Sequence, residues 1–254
     1  MEAARRKGVL VRPVDSEHSA ILQCLLGQDR KAVRRLLLTA SGGPFRGKTR
    51  DELTRVTLAD CLKHPTWHMG RKVTIDSATM FNKGLEILEA SWLFHVPVKD
   101  IDVVVQPQSL IHSMVEFDDG SIMAQIGNPD MRLPIQFALT YPERLPTPSH
   151  EFVDWETLSS ILVSVPDRSV FRSLSMAYAA GEAGGTAGTA FNAANEEAVS
   201  AFIEEKISFL SIYDVVETVL GAWHTQPVMG IQDIWAADEK ARAMAHAAIR
   251  RSVC

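Results

Sequence analysis

The sequence is poor in cysteine, in long apolar runs and in closely spaced glycines. Three cysteines occur in 254 residues: Cys24, Cys61 and Cys254. They are too few and too scattered for a disulfide scaffold or a zinc site, so a reducing cytosol is the default compartment. No apolar run approaches the roughly 18 residues that span a membrane. The first residues, MEAARRKGVLV, hold no apolar core long enough for a signal peptide. No two glycines are spaced G-x-G, which removes the dinucleotide fingerprint G-x-G-x-x-G. There is no internal repeat and no low-complexity tract. A net charge of −5 argues against a general nucleic-acid binder.

What remains is an ordinary globular composition, 46% apolar and 22% charged, long enough for one or two domains with a proper core. The charge is unevenly spread. Residues 1–150 carry 19 Lys+Arg against 17 Asp+Glu, and residues 151–254 carry 7 against 14. The first stretch suits an anionic small molecule, and the second reads as solvated acidic helix.

Periodicity predicts short strands at 9–15, 34–40, 71–76 and 101–109, and a hairpin over 114–127 turning at Asp119-Gly120. Helices are expected at 16–27, 57–65, 134–145 and from about Thr79 to His95. In the last of these Phe81, Leu85, Leu88 and Trp92 share a face. Pro146, Pro148 and Pro166 make 146–168 a linker. Beyond Phe171 the pattern is helical, with a glycine loop near 181–188. The fold class is therefore α+β: a mixed sheet-and-helix domain (1–145), the linker (146–168) and a small all-helical C-terminal domain (169–254).

Several segments carry chemistry. Asp15 and Glu17 are two apart where a strand gives way to a helix. On extended backbone they point the same way and can hold a hard divalent cation, Mg²⁺ or Mn²⁺. The same residues also read as a helix start, with Asp15 or Ser16 as the cap and Glu17 in the first turn. In Asp76–Glu86, Asn82, Lys83 and Glu86 share a helix face, and Ser77 lies near a helix N-terminus that favours an anion. Those groups can make a phosphate site, with Glu86 as a third metal carboxylate; a capped surface helix with a Lys-Glu pair is the plain alternative. That alternative leaves Gly84 unexplained, since it costs up to about 1 kcal/mol against Ala inside a helix. Ser41-Gly42-Gly43 can offer a hydroxyl and N–H groups to phosphate, or be a plain loop. The loop His64–Gly70 can close over a ligand, or be pinned by a buried Trp67. Pro65 makes a regular helix through His64 and His68, and hence zinc, a poor reading. His112 reads as a satisfied core histidine sooner than a cleft residue. Gly42, Gly47, Lys48 and Thr49 meet the P-loop spacing without a convincing helix behind them.

Together PVDSEHSAI, TASGGPFR, KHPTWHMGRKVTIDSATMFNKGLEILEA, QPQSLIHSM and TAFNAANEEAV resemble the 1-deoxy-D-xylulose 5-phosphate reductoisomerase family. The resemblance runs in order over most of the chain and is weakest across 146–180 and after Ile212. It implies an NADPH-dependent, metal-dependent enzyme that isomerises and reduces 1-deoxy-D-xylulose 5-phosphate to 2-C-methyl-D-erythritol 4-phosphate. That step belongs to the non-mevalonate route of isoprenoid biosynthesis, in the cytoplasm. It implies metal binding, magnesium or manganese, by Asp15, Glu17 and Glu86. It implies binding of the phosphorylated sugar by Ser16, Glu17, Ser41, His64, Ser77, Asn82, Lys83 and Glu86, with Asp15, Glu17, His64 and Glu86 catalytic. Trp67 and Met69 would join His64 in the closing loop, and Gly70 would lie against NADPH. The P-loop spacing is then coincidence. The family's N-terminal Rossmann domain, and an Asn-Lys-Glu stretch before the PVDSEH segment, have no match here. The expectation is a truncated enzyme, a chain without its cofactor domain that binds metal and sugar phosphate but little NADPH. Its expected partners are the phosphorylated sugar, a second copy in a homodimer, and a separate cofactor-domain chain; nucleic acid and membrane are not expected. The alternative is a non-catalytic module that binds metal and sugar phosphate.

Overall fold

The computed structural model of the protein describes residues 1–147 and 151–252. Pro148 of the expected linker and Cys254 lie outside the described residues. In chain order the elements are α1 (Glu2–Arg6), α2 (Ser16–Cys24), β1 (Val33–Ala40), α3 (Arg50–Leu53), α4 (Leu58–Cys61), α5 (Arg71–Ala78) and α6 (Phe81–Phe94). There follow β2 (Ile101–Val105), β3 (Ile111–Phe117), β4 (Ile122–Ile126), α7 (Arg132–Thr140), α8 (Ser173–Ala183), α9 (Ala187–Ile203), α10 (Phe209–Gly221) and α11 (Ile231–Ser252). This is an α+β chain. No helix of the described residues is long and apolar enough to cross a membrane.

Packing divides the chain into two compact units, and both are discontinuous: Met1–Ser41 with Glu89–Pro166, and Gly42–Leu88 with Asp167–Cys254. The division departs from the consecutive spans 1–145, 146–168 and 169–254. The reason lies in residues 42–88, whose apolar side chains are covered by the C-terminal helices. The Phe81 ring lies tilted 5.3 Å from Phe191 and stacked 5.7 Å from Tyr213, and Phe45 lies 5.1 Å from Phe209. Helix α6 contributes to both units, Phe81–Leu88 to the second and Glu89–Phe94 to the first.

The first unit is built on a four-stranded sheet in the order β2-β1-β3-β4. β1 pairs parallel with β2 (Leu36 opposite Ile101, Leu38 opposite Val103) and antiparallel with β3 (Leu36 opposite Val115). β1 is central and covered on both faces, so LLL at 36–38 is a continuous apolar run. Helix α2 packs on the sheet through Ile21 and Leu22, both buried. The hairpin β3–β4 turns at Asp119-Gly120 as expected, with Gly120 at φ 83° and Ser121 N donating to Asp119 Oδ1 at 2.8 Å.

Two expected strands are not strands. Residues 9–15 form neither strand nor helix, and Val9, Leu10, Val11 and Val14 are exposed. Pro13 has no N–H to donate to a ladder, and β1 already has β2 and β3 on its two edges. Residues 71–76 belong to helix α5. Val73 and Ile75 alternate with polar neighbours, but Thr74, Ile75 and Ala78 form the buried helical stripe and Val73 is exposed. The expected face of α6 is also rotated: Phe81, Ile87, Ala90 and Phe94 are buried, whereas Trp92 is 70% exposed.

The second unit is mostly helical. α9 packs against α8, α10, α11 and α5, and its small residues Ala190, Ala193, Ala194 and Ala198 are fully buried, which permits close helix approach.

Candidate active site

In the first unit Asp15 is the N-cap of α2: its Oδ1 accepts from Glu17 N at 3.2 Å. Ser16 Oγ donates to Glu17 Oε2. The capping reading of this segment is therefore correct as local structure, and it leaves both carboxylates at the N-terminal end of α2. Beside them lies His18, which sequence reasoning passed over. His18 is buried and stacked against Phe94, with Nδ1 at 3.7 Å from Asp15 Oδ1 and 3.9 Å from Glu89 Oε2. Glu89 was also missed, although it stands one turn after Glu86 on α6. Partial burial raises the Glu89 carboxyl above the usual carboxylate range; His18 opposes that shift and Asp15 adds to it. Ser41 follows β1 directly at the end of the sheet.

The second unit gathers the remaining groups at the junction of α5 and α6. Met80 turns the chain there with φ 60°. Asn82, Lys83 and Glu86 share one face of α6. Asn82 Nδ2 donates to Glu86 Oε1 and Lys83 Nζ pairs with Glu86 Oε2, with Lys83 and Glu86 each only 3% exposed. A buried ammonium paired with a buried carboxylate is not the solvated Lys-Glu pair of the plain alternative.

His64 Nε2 lies 3.1 Å from Ser77 Oγ, at the last turn of α5. His64 Nδ1 accepts from Trp67 N at 2.9 Å and Thr66 N at 3.2 Å. Nδ1 is thus the lone-pair nitrogen, which places the neutral ring's proton on Nε2, facing Ser77. Burial pushes the His64 imidazole below its ordinary value, which favours that neutral form. The backbone of Gly43 comes against Ser77 from the other side: a Cβ at Gly43 would lie 2.8 Å from the Ser77 carbonyl oxygen, and Gly43 sits at φ 63°. Gly70 is the N-cap of α5, and a Cβ there would meet nothing within 4 Å, so its backbone is open to close approach. Residues 64–70 are not helical and His68 is exposed, in keeping with a loop and not a zinc pair.

Three other readings resolve plainly. Gly84 faces α8 and α9, where a Cβ would come 3.0 Å from Phe191 and 3.1 Å from Ala177; its reason is packing. Thr49 caps the four-residue α3 in a capping box and Lys48 pairs with Glu52 at 2.7 Å, so the P-loop spacing is a helix cap. His112 is buried with Nε2 at 3.1 Å from the Gly127 carbonyl, a satisfied core histidine.

Comparison with known proteins bears on these groups. Residues 11–94 match a family model described as 1-deoxy-D-xylulose 5-phosphate reductoisomerase C-terminal domain, and residues 126–244 match one described as DXP reductoisomerase C-terminal domain. The chain is 53% identical over 242 residues to the 1-deoxy-D-xylulose 5-phosphate reductoisomerase of Acetivibrio thermocellus, covering 95% of this chain and 63% of that protein. It is 57% identical over 217 residues to the Lachnospira eligens enzyme of the same name, covering 85% and 57%. Among solved structures, the Zymomonas mobilis reductoisomerase in complex with NADPH superposes with a TM-score of 0.91 at 44% identity, covering 98% of this chain and 64% of that one. A DOX-P reductoisomerase in complex with NADPH, fosmidomycin and magnesium gives 0.89 at 38% identity, covering 98% and 65%. The chain thus spans about three fifths of these relatives' length. Through the regions those two C-terminal-domain models describe, the chain belongs to the 1-deoxy-D-xylulose 5-phosphate reductoisomerase family.

Proposed function

We propose that this chain supplies the metal- and sugar-phosphate-binding machinery for the NADPH-dependent conversion of 1-deoxy-D-xylulose 5-phosphate to 2-C-methyl-D-erythritol 4-phosphate. The observation that carries this reading is the buried Asn82–Lys83–Glu86 cluster one junction away from the His64–Ser77 contact, within residues matched by the family model.

Asp15, Glu17 and Glu86 offer oxygen only, the donor chemistry of magnesium or manganese. A divalent cation held there would act as a Lewis acid on substrate oxygens. Ser77 receives the His64 Nε2 proton as a hydrogen bond, so its own hydroxyl proton is left to donate to an anion. Lys83, Asn82, Ser16 and Ser41 would complete the grip on substrate, whose fixed position keeps the reacting carbons aligned. The loop 64–70 would exclude water, with Gly70 against the nicotinamide cofactor. In this reading residues 1–145 hold every substrate-contacting group, and 169–254 support them. A cytoplasmic setting, a homodimer and a cofactor domain reached in the same or a separate polypeptide complete the proposal.

The test is calorimetric titration of Mn²⁺, Mg²⁺ and 1-deoxy-D-xylulose 5-phosphate, alongside NADPH oxidation with and without an added Rossmann-domain chain. Turnover that requires the added chain supports an enzyme. Tight binding with no turnover in either condition points to a binding module. Unchanged metal affinity in Glu86→Gln would remove Glu86 from the metal set.

A further inference from the structure

Ser77 has a buried acidic neighbour in the same helical turn. Asp76 is 1% exposed, and its Oδ1 accepts the Nδ2–H of Asn195 on α9 at 2.9 Å. Its Oδ2 pairs with Lys72 Nζ at 2.7 Å, one turn back on α5. Asn195 is wholly buried, and its own Oδ1 has no hydrogen-bond partner. The next polar group along, the Thr79 carbonyl, accepts from Ser173 Oγ at 2.7 Å and from the Tyr213 hydroxyl at 3.1 Å. Side chains from α8, α9 and α10 therefore grip both sides of the Ser77 turn.

An apolar residue at 195 would pack without the desolvation cost of a buried amide and an orphaned oxygen. What an amide adds is direction. Asp76 and Ser77 are successive on one helix, so fixing the azimuth of Asp76 fixes that of Ser77 about 100° away. A small rotation of α5 would carry Ser77 Oγ off His64 Nε2.

We propose that Asn195 is a positioning residue for phosphate recognition: its bond to Asp76 sets the rotation of the last turn of α5 and so holds Ser77 against His64. The proposal rests on the reading of Ser77 as a phosphate contact.

The experiment uses the whole chain and three proteins: wild type, Asn195→Ala and the exchanged pair Asp76→Asn/Asn195→Asp. Two quantities are read. One is the ¹⁵N shift of the His64 imidazole without ligand; the other is the calorimetric Kd for 1-deoxy-D-xylulose 5-phosphate against that for 1-deoxy-D-xylulose. Asn195→Ala is expected to move the His64 shift and weaken the phosphate ester about tenfold, the effect of roughly one good hydrogen bond, with binding of the free sugar unchanged. The exchanged pair is expected to recover both. A folded Asn195→Ala with wild-type His64 shift and wild-type Kd would overturn the proposal. So would an exchanged pair that recovers the melting temperature but not the His64 shift, or loss of folding in both variants, which assigns Asn195 to stability alone. Should wild type bind ester and free sugar equally, the phosphate reading itself fails, and the His64 shift still decides the positioning claim.

Discussion

Ser77 Oγ lies 3.1 Å from His64 Nε2, and two backbone N–H groups occupy the ring's other nitrogen. The contact therefore has a fixed sense, with imidazole donating to hydroxyl. Protonating the ring would force Nδ1–H against two donors.

The first prediction concerns pH. Burial depresses the folded-state value of His64 below 6.5. A depressed value means the neutral ring is favoured by folding, so its contribution to stability is present above about pH 6.5 and is lost as pH falls through the lower folded value. Histidine NMR, with His64→Asn to assign the signal, should give a titration midpoint below 6.5. A midpoint at or above it would be incompatible with this geometry.

Lys83 and Glu86 form a pair buried at both ends. Removing one partner strands the other charge, at a typical cost of about 3–5 kcal/mol. Lys83→Met should lower the urea midpoint strongly, and Lys83→Met/Glu86→Leu should recover most of the loss. Equal midpoints for the two variants would show that the pair is not coupled.

Alanine outranks glycine in a helix by up to about 1 kcal/mol, so Gly84→Ala would stabilise an exposed helix. Here the new methyl meets Phe191 at 3.0 Å and Ala177 at 3.1 Å. We expect a net destabilisation of about 1–3 kcal/mol by overpacking, partly relieved by Phe191→Leu. A raised melting temperature for Gly84→Ala would contradict the close packing of α6 on α8 and α9.

Burial pushes the Cys24 thiol up to about 11 and the Cys61 thiol up to about 12. Thiolate is the reactive form. In a Cys254→Ser background, labelling by a disulfide reagent at pH 8 should be slow and limited by unfolding, and denaturant should release two fast-reacting thiols. Fast labelling without denaturant would argue against burial of either cysteine.

The features legible in the sequence were those set locally. β1 and α6 declared themselves by apolar pattern, and the hairpin by Asp119-Gly120. The candidate site groups stand out in the sequence because each lies at an element junction where backbone polarity is unspent: Asp15 at the start of α2, Ser77 at the end of α5, Asn82 and Lys83 in the first turn of α6. What stayed hidden depends on partners distant in sequence. The alternation in RKVTID suits a strand until α9 covers Ile75 and Asp76 together. Trp92 fits the helical spacing of Phe81, but the cover shifts along α6 and leaves it exposed. Glu89 and His18 are brought together from positions 71 apart, and Asn195 meets Asp76 from 119 positions away.

The interleaving of the two units has a consequence for biosynthesis. Residues 42–88 leave the ribosome before Asp167–Cys254, and the intervening 78 residues complete the first unit. At roughly 5–20 residues per second that interval lasts on the order of 4–16 s. The sheet can close meanwhile, because β4 ends at Ile126. Phe81, Ile75 and the Lys83–Glu86 pair meanwhile lie on a nascent segment still awaiting its helical cover. The stretch proposed to grip the substrate thus waits uncovered during translation, within reach of chaperones.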